Sequence, residues 1–373
     1  MSKMLGRSIR LGSFVCALVA VGCAGSTKSS GSTGSTIGGE DSGTSGGDDT
    51  GSTMGLADTP GGIVVDSAIE SGGGGPTVSV IYAHTDDTLY KLDPTTKNIT
   101  TVGAFTFASG AGEAITDLAV KGDGSVYVNS TGTLYSAVIP ASGTGSVALT
   151  KVTTLGDGTT KFYALGFTPA GYLGATESLI AGDGNGDLYL VDTSTGKSTL
   201  LGGFGNCTSG DPCGSGDTFW ALSGDVVFYS DETSGAVRGL ATLRSCSGSG
   251  KSTSCSNGND VLAEIDTDAM KTAATSGTAA STLRKAIVGG GSGFGRLFGI
   301  GAWDANVYAF TRYSASMSSG EAAQLIQIDG SGTGTSIKTF SMITSGPCAF
   351  GSGTCSGFSG AGVTTKAKVT VVK

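Results

Sequence analysis

The chain has 373 residues, with 22 Lys+Arg against 30 Asp+Glu and a formal charge of −8. It carries no basic stripe interleaved with aromatics, which argues against nucleic acid as a partner. Glycine fills 66 positions and charged residues make up only 14%, so many turns and little helix are expected.

Residues 1–22 read as a secretion signal. Lys3, Arg7 and Arg10 form a basic start without an acid, and Leu11 to Val21 form an apolar stretch too short for a comfortable membrane span. Ala20-Val-Gly-Cys23 follows. This resembles the lipobox of bacterial lipoproteins, with Ala20 standing where Leu is usual. The resemblance implies lipidation of Cys23, which becomes the first residue of the mature chain and carries several acyl chains, as stable anchoring requires. Ala24 in place of Asp implies, by the same resemblance, an outer-membrane destination. The alternative is an ordinary signal peptide cut near Gly22 to Ala24. Removal of 1–22 leaves 19 Lys+Arg against 30 Asp+Glu.

Residues 23–76 read as the lipidated Cys and a tether. Ala24 to Gly55 is almost wholly Gly, Ser and Thr, with acid pairs at Glu40-Asp41 and Asp48-Asp49. Such a segment cannot bury enough apolar surface to offset the entropy of folding, and a flexible spacer is expected.

Residues 77–373 carry two interleaved repeats. The first is Thr88-Leu-Tyr-Lys-Leu-Asp93, Thr133-Leu-Tyr-Ser-Ala-Val138, Asp187-Leu-Tyr-Leu-Val-Asp192, Val261-Leu-Ala-Glu-Ile-Asp266 and Gln324-Leu-Ile-Gln-Ile-Asp329. Each alternates as a half-buried strand does and is followed by a turn and a further strand. The second repeat is Ile115–Val120, Phe162–Phe167, Phe219–Gly224, Leu297–Ala302 and Phe358–Val363, with small residues at matched places. Small side chains suit strands crowded around a central axis. Between the two echoes a further strand is expected at Ser125–Asn129, Val226–Tyr229 and Asn306–Phe310. The result is four strands per unit.

The last inner strand, at Phe358, has no hairpin after it, and the first hairpin, at Thr88, has no inner strand before it. One supplies what the other lacks. The expected fold is therefore an all-β β-propeller of five blades, closed by pairing of N- and C-terminal strands. Leu-Tyr-x-Leu/Val-Asp-x-x-Thr followed by Thr-x-Val/Leu-Gly resembles the repeats of bacterial secreted β-propellers of the YVTN and related kinds, over roughly 77–373. Echo spacings of 45 to 74 residues exceed the usual blade length of about 40–50. The excess is assigned to loops near 203–218, 244–260, 267–282, 313–322 and 344–357. A sixth blade around Thr282–Val288 is the alternative.

Six cysteines fall as close pairs in Gly/Ser-rich loops, and nearest-neighbour disulfides are expected: Cys207–Cys213, Cys246–Cys255 and Cys348–Cys355. The single histidine, His84, is expected to be half-exposed on a strand. Asp183-Gly-Asn-Gly-Asp187 places oxygen ligands Asp183, Asn185 and Asp187 at alternate positions, a weak Ca²⁺ candidate that also fits a plain hairpin turn. No metal site and no cofactor is expected.

Asp117, Asp225 and Asp304 lie on or just beyond inner strands but share no register in their repeats, so no catalytic constellation is visible. Asp117 is kept as a weak ligand candidate. So are Trp220 and Trp303, as a sugar-stacking platform at one mouth, against the plainer reading of inter-blade packing. The composite expectation is an exported, monomeric, membrane-anchored module that binds a protein or glycan through its loop face without catalysis. A propeller hydrolase and a purely structural envelope protein are the alternatives.

Overall fold

In the computed structural model the described residues are 80–108, 112–248, 254–255, 260–290, 296–312, 323–329, 332, 334–340 and 357–370. The expected signal over 1–22, Cys23, the expected tether, Cys348 and Cys355 lie outside them.

Runs rich in Val, Ile, Leu and Tyr, broken by Gly- and Asp-led turns, form strands along the whole described region. Blade one contains β1 (Ile81–His84), β2 (Thr88–Leu92) and β3 (Ile99–Phe107). Blade two contains β4 (Asp117–Val120), β5 (Val126–Asn129), β6 (Thr133–Val138) and β7 (Val147–Thr154). Blade three contains β8 (Phe162–Thr168), β9 (Ser178–Asp183), β10 (Asp187–Val191) and β11 (Ser198–Gly203). Blade four contains β12 (Phe219–Ser230), β13 (Val237–Ser247), the short β14 (Ser254–Cys255), β15 (Val261–Ile265), α1 (Thr267–Ser276) and β16 (Arg284–Gly290). Blade five contains β17 (Leu297–Trp303), β18 (Asn306–Thr311), β19 (Ala323–Ile328) and β20 (Gly334–Phe340). The C-terminal β21 (Gly360–Val363) pairs antiparallel with β1, Ile81 opposite Val363 and His84 opposite Gly360, and supplies the inner strand of blade one.

The molecule is a five-bladed β-propeller closed by its two ends. Every Leu-Tyr echo is a third strand and every small-residue echo an inner one. The inner strands β21, β4, β8, β12 and β17 pack in that cyclic order. Apolar blade faces stack pairwise: Tyr82, Leu89 and Val102 of blade one meet Leu118, Val126 and Val128 of blade two. Ile180 and Leu188 of blade three meet Trp220, Phe228 and Leu243 of blade four. Such burial is the main stabilising term.

Four expectations are corrected. Residues 282–288 are no sixth blade: they run into β16, the outer strand of blade four, paired with β15 from Val261–Gly290 to Ile265–Arg284. The connection at 267–282 contains a helix, because Asp266 caps it through Ala269 N, Gly277 ends it in the left-handed conformation, and Met270 and Ala273 bury one face. Val226–Tyr229 is not a second strand. It continues β12 past a bulge between Leu222 and Val226, and the second strand is β13, running into the supposed loop at 244. His84 is fully buried, its ring edge-on to Phe105 at 6.0 Å and its Nε2 against Gly360 of β21 beside Asp117.

One pairing was not anticipated. The end of β3 runs parallel to β7, Phe105 opposite Val147, and joins the outer strands of blades one and two. The turns behave as the sequence suggests: Asp93 Oδ1 accepts from Thr95 and Thr96 N, and Asp192 Oδ1 from Ser194 and Thr195 N.

Candidate functional site

An inner strand of a propeller has a ladder partner on one edge only. Its other edge faces the axis, where water is excluded and an unpaired N–H is costly. Glycines bring these edges close: a Cβ on Gly299 would lie 2.6 Å from Ala361 N, and one on Gly166 2.9 Å from Val226 O. Two carboxyls fill the remaining space. Asp117 Oδ1 accepts from Leu118 N at 2.8 Å and Oδ2 from Leu165 N at 2.6 Å. Asp225 Oδ1 accepts from Val226 N at 2.6 Å and Oδ2 from Ile300 N at 2.7 Å, and the same carboxyl also accepts from Ala361 N. The pair thus engages one backbone N–H from each of the five inner strands.

Asp117 and Asp225 are hydrogen-bonded to each other and wholly buried. Burial pushes both carboxyls up, Asp117 further through the charge of Asp225. Two carboxylates in contact do not both ionise, so the pair retains a proton. The two acids do share a structural register, contrary to the sequence reading. The bulge in β12 displaces Asp225 along the sequence and hides the equivalence. Asp304 is elsewhere: it lies exposed in the β17–β18 turn with φ of 52°.

His84 adjoins this hub. Its Nδ1 donates to Thr85 O at 2.7 Å, Nε2 has no partner among the described residues, and burial lowers its pKa to about 4. A Cβ on Gly360 would lie 2.1 Å from Asp117 Oδ1 and 2.6 Å from His84 Nε2.

The loops that enter the inner strands share one face with the turns between middle strands. On this entry face Arg312 donates to Ser359 Oγ at 2.6 Å and to Asp86 Oδ2 at 3.0 Å. Arg244 holds the buried Asp260, Nε to Oδ1 at 3.0 Å. Burial raises the Asp260 carboxyl and Arg244 opposes the shift. Both guanidiniums flank the Phe298 ring, at 5.9 and 5.6 Å.

Beside them, the loop between β11 and β12 is closed by the Cys207–Cys213 disulfide. Arg284 grips its Asp211 through two bonds of 3.1 and 2.9 Å and lies over the Trp220 ring at 5.7 Å. Trp220 is buried and its Nε1 donates to Asp211. The second expected disulfide, Cys246–Cys255, ties β13 to β14 within the connection between middle strands.

Trp220 and Trp303 do not form one platform. Trp220 is the second residue of β12 and Trp303 the last of β17, so they stand at opposite ends of the ring. Asp183 is a turn cap: Oδ1 accepts from Asn185 N at 2.9 Å and Asp187 N at 3.0 Å. Among the described residues no three His, Cys, Asp or Glu side chains are grouped to hold a metal.

What the fold does bring together is Asn185 and Asp187 of blade three with Phe219 and Trp220 of blade four. They line a groove of about 330 Å³ that also touches Asn206 and the segment 279–281. Nothing in the sequence pairs these positions. A second cleft, of about 80 Å³, lies between blades four and five, walled by Leu240, Leu262, Val307 and Ile328 with the Arg238–Glu264 ion pair at its edge.

No family model matches the sequence, and no curated protein matches it. Solved structures similar to the chain include a protein of unknown function from Bacteroides caccae, 10% identical with a TM-score of 0.35, the match covering 76% of this chain and 97% of that one. An auxiliary nutrient binding protein from Bacteroides thetaiotaomicron is 13% identical with a TM-score of 0.35 over 69% and 54% of the two chains. The Dos1 propeller is 13% identical with a TM-score of 0.30 over 65% and 51%.

Proposed function

We propose that this chain is a non-catalytic recognition module of the cell envelope: exported, lipidated at Cys23, held at the outer membrane by its tether, and engaging a glycan or protein partner through the entry face. The observation that carries this reading is the contrast between axis and face. Asp117 and Asp225 are wholly buried and committed to backbone N–H groups, whereas Asp187 and Phe219 border an open groove. A hydrolase needs its acid and base within reach of substrate, and a pair sealed among five strands is not. The lipobox-like Ala20-Val-Gly-Cys23 and the Gly/Ser/Thr spacer support the anchor. The two disulfides, Cys207–Cys213 and Cys246–Cys255, fit an oxidising compartment.

The test fractionates cells expressing wild type and Cys23→Ser, then measures retention of purified envelope polysaccharide and protein by the immobilised mature chain. Wild type is expected in the outer-membrane fraction and the variant in the soluble fraction, with envelope material retained by both. A Cys23→Ser chain that stays with the membrane would refute the lipid anchor. Turnover of any glycoside or lactone that Asp117→Asn abolishes would refute the non-catalytic reading.

A further inference from the structure

The groove between blades three and four has a lining that selects among ligand chemistries. Phe219 is half-buried and presents an apolar ring, while Asn185 and Asn206 are exposed at its edge. Asp187 is half-buried, and no described residue donates a hydrogen bond to its carboxylate. Its neighbour Asp183 is satisfied by the turn, so Asp187 is left with bonding capacity directed at a ligand or at water.

The floor is built for close approach. Gly203 lies opposite Asp187 in the β10–β11 pair, and a Cβ there would fall 2.4 Å from Asp187 Oδ1. Gly186 is at φ of 89° with its missing Cβ 2.5 Å from Trp220 O, which seats the blade-three turn directly on β12. The walls are braced by the Cys207–Cys213 bridge and by Arg284 on Asp211. Recognition on a braced wall loses less side-chain entropy.

No Lys or Arg lines the groove, which disfavours an anion. A simple amine would satisfy Asp187 but leave the Asn206 amide, and the second N–H of the Asn185 amide that already donates to Asp183 Oδ2, without acceptors. Hydroxyl groups are both donors and acceptors and match carboxylate and amides together. A ring with an apolar face matches Phe219. A volume of about 330 Å³ is at the small end of the roughly 300–1,000 Å³ of small-molecule sites.

We infer that this groove binds a short neutral saccharide, with Phe219 under the apolar face of a sugar ring, Asp187 accepting from vicinal hydroxyls, and Asn185 and Asn206 completing the contacts at the rim. The inference rests on the recognition-module reading and names its ligand class.

Trp220 lines the same groove, so its emission reports occupancy. The chain has two tryptophans, and Trp303→Phe leaves Trp220 as the reporter. Mature protein in this background is titrated with glucose-, galactose- and mannose-based neutral oligosaccharides to millimolar concentration and, separately, with putrescine. The same saccharides are titrated calorimetrically into the unmodified mature chain. One saccharide series is expected to bind in both measurements. Phe219→Ala and Asp187→Ala are each expected to weaken it about tenfold or more, the equivalent of about 1.4 kcal/mol, with melting temperature retained. Asp187→Asn, which keeps an acceptor oxygen and the side-chain shape, is expected to lose less.

Saccharide binding untouched by all three variants would overturn the site while leaving the module reading intact. Putrescine binding with every saccharide inert would overturn the ligand class. Saccharides inert while envelope protein is still retained would overturn the inference alone, and loss of all retention would remove both.

Discussion

The axial acid pair makes a signed prediction about stability against pH. Between pH 5 and 7 the unfolded chain has both Asp117 and Asp225 ionised, since a free Asp titrates near 3.9. The folded pair retains one proton, because burial and mutual repulsion raise its pKa. A raised folded pKa means stability that is full below the unfolded pKa and lost as pH rises toward the folded one. Wherever the native state holds one proton more than the unfolded chain, stability falls with a slope of about −1.4 kcal/mol per pH unit.

Asp117→Asn replaces the shared proton with an amide N–H that donates to Asp225. It also loses one of the two oxygens that accept from Leu118 and Leu165 N, at a cost of about 1–3 kcal/mol. The variant is therefore expected to be less stable than wild type at pH 5, and the gap between the two curves to narrow as pH rises. Guanidinium melts followed by circular dichroism at pH 5, 6, 7 and 8 measure this. Contributions from titrating groups far from the axis drop out of the difference between the two proteins. Parallel curves would mean that the pair carries no extra proton, and the account of the axis would be wrong.

His84 acts with the opposite sign. Its pKa falls from 6.5 to about 4 on burial, so stability decreases as pH falls through that window, by about 3 kcal/mol in all; His84→Gln is expected to flatten this limb in the same melts. Removing residues 358–373 deprives β1 of β21 and the hub of Ala361. Light scattering and thermal melts are expected to show an aggregating chain without a cooperative transition, and a peptide of that sequence added in trans to restore it. Gly299→Ala places a Cβ 2.6 Å from Ala361 N and Gly360 C. Overpacking of about 1–3 kcal/mol or more, at roughly 2–4 °C per kcal/mol for a domain of this size, is expected to lower the melting temperature clearly. Gly132→Ala, with open space around the new Cβ, serves as the neutral control.

Local chemistry was legible wherever it was repeated. Leu89–Tyr90 and Leu188–Tyr189 announce third strands, Asp93 and Asp192 announce their turns, and the unmatched echo at Phe358 announces ring closure, because alternation and turn-capping are properties of a few consecutive residues. Close spacing likewise announced Cys207–Cys213 and Cys246–Cys255. In blade four the same signals misled. The bulge after Leu222 breaks the period of two, so one long inner strand looked like two short ones, and the register of Asp225 was lost with it. The helix after Asp266 was missed because its opening Asp has the same capping chemistry as a turn.

Sequence by itself determined the order of the blades and the way the ring closes, since both depend on which residues alternate and where turns fall, whereas the count of five rather than six was decided by the pairing of β16 with β15. Tertiary structure alone decided that Asp117 and Asp225 meet on the axis, that Trp220 and Trp303 stand at opposite ends, and that Asp187 faces Phe219 across a groove. Those pairings depend on how neighbouring blades twist and pack against one another, and packing distance between blades leaves no trace in the spacing of residues along the chain.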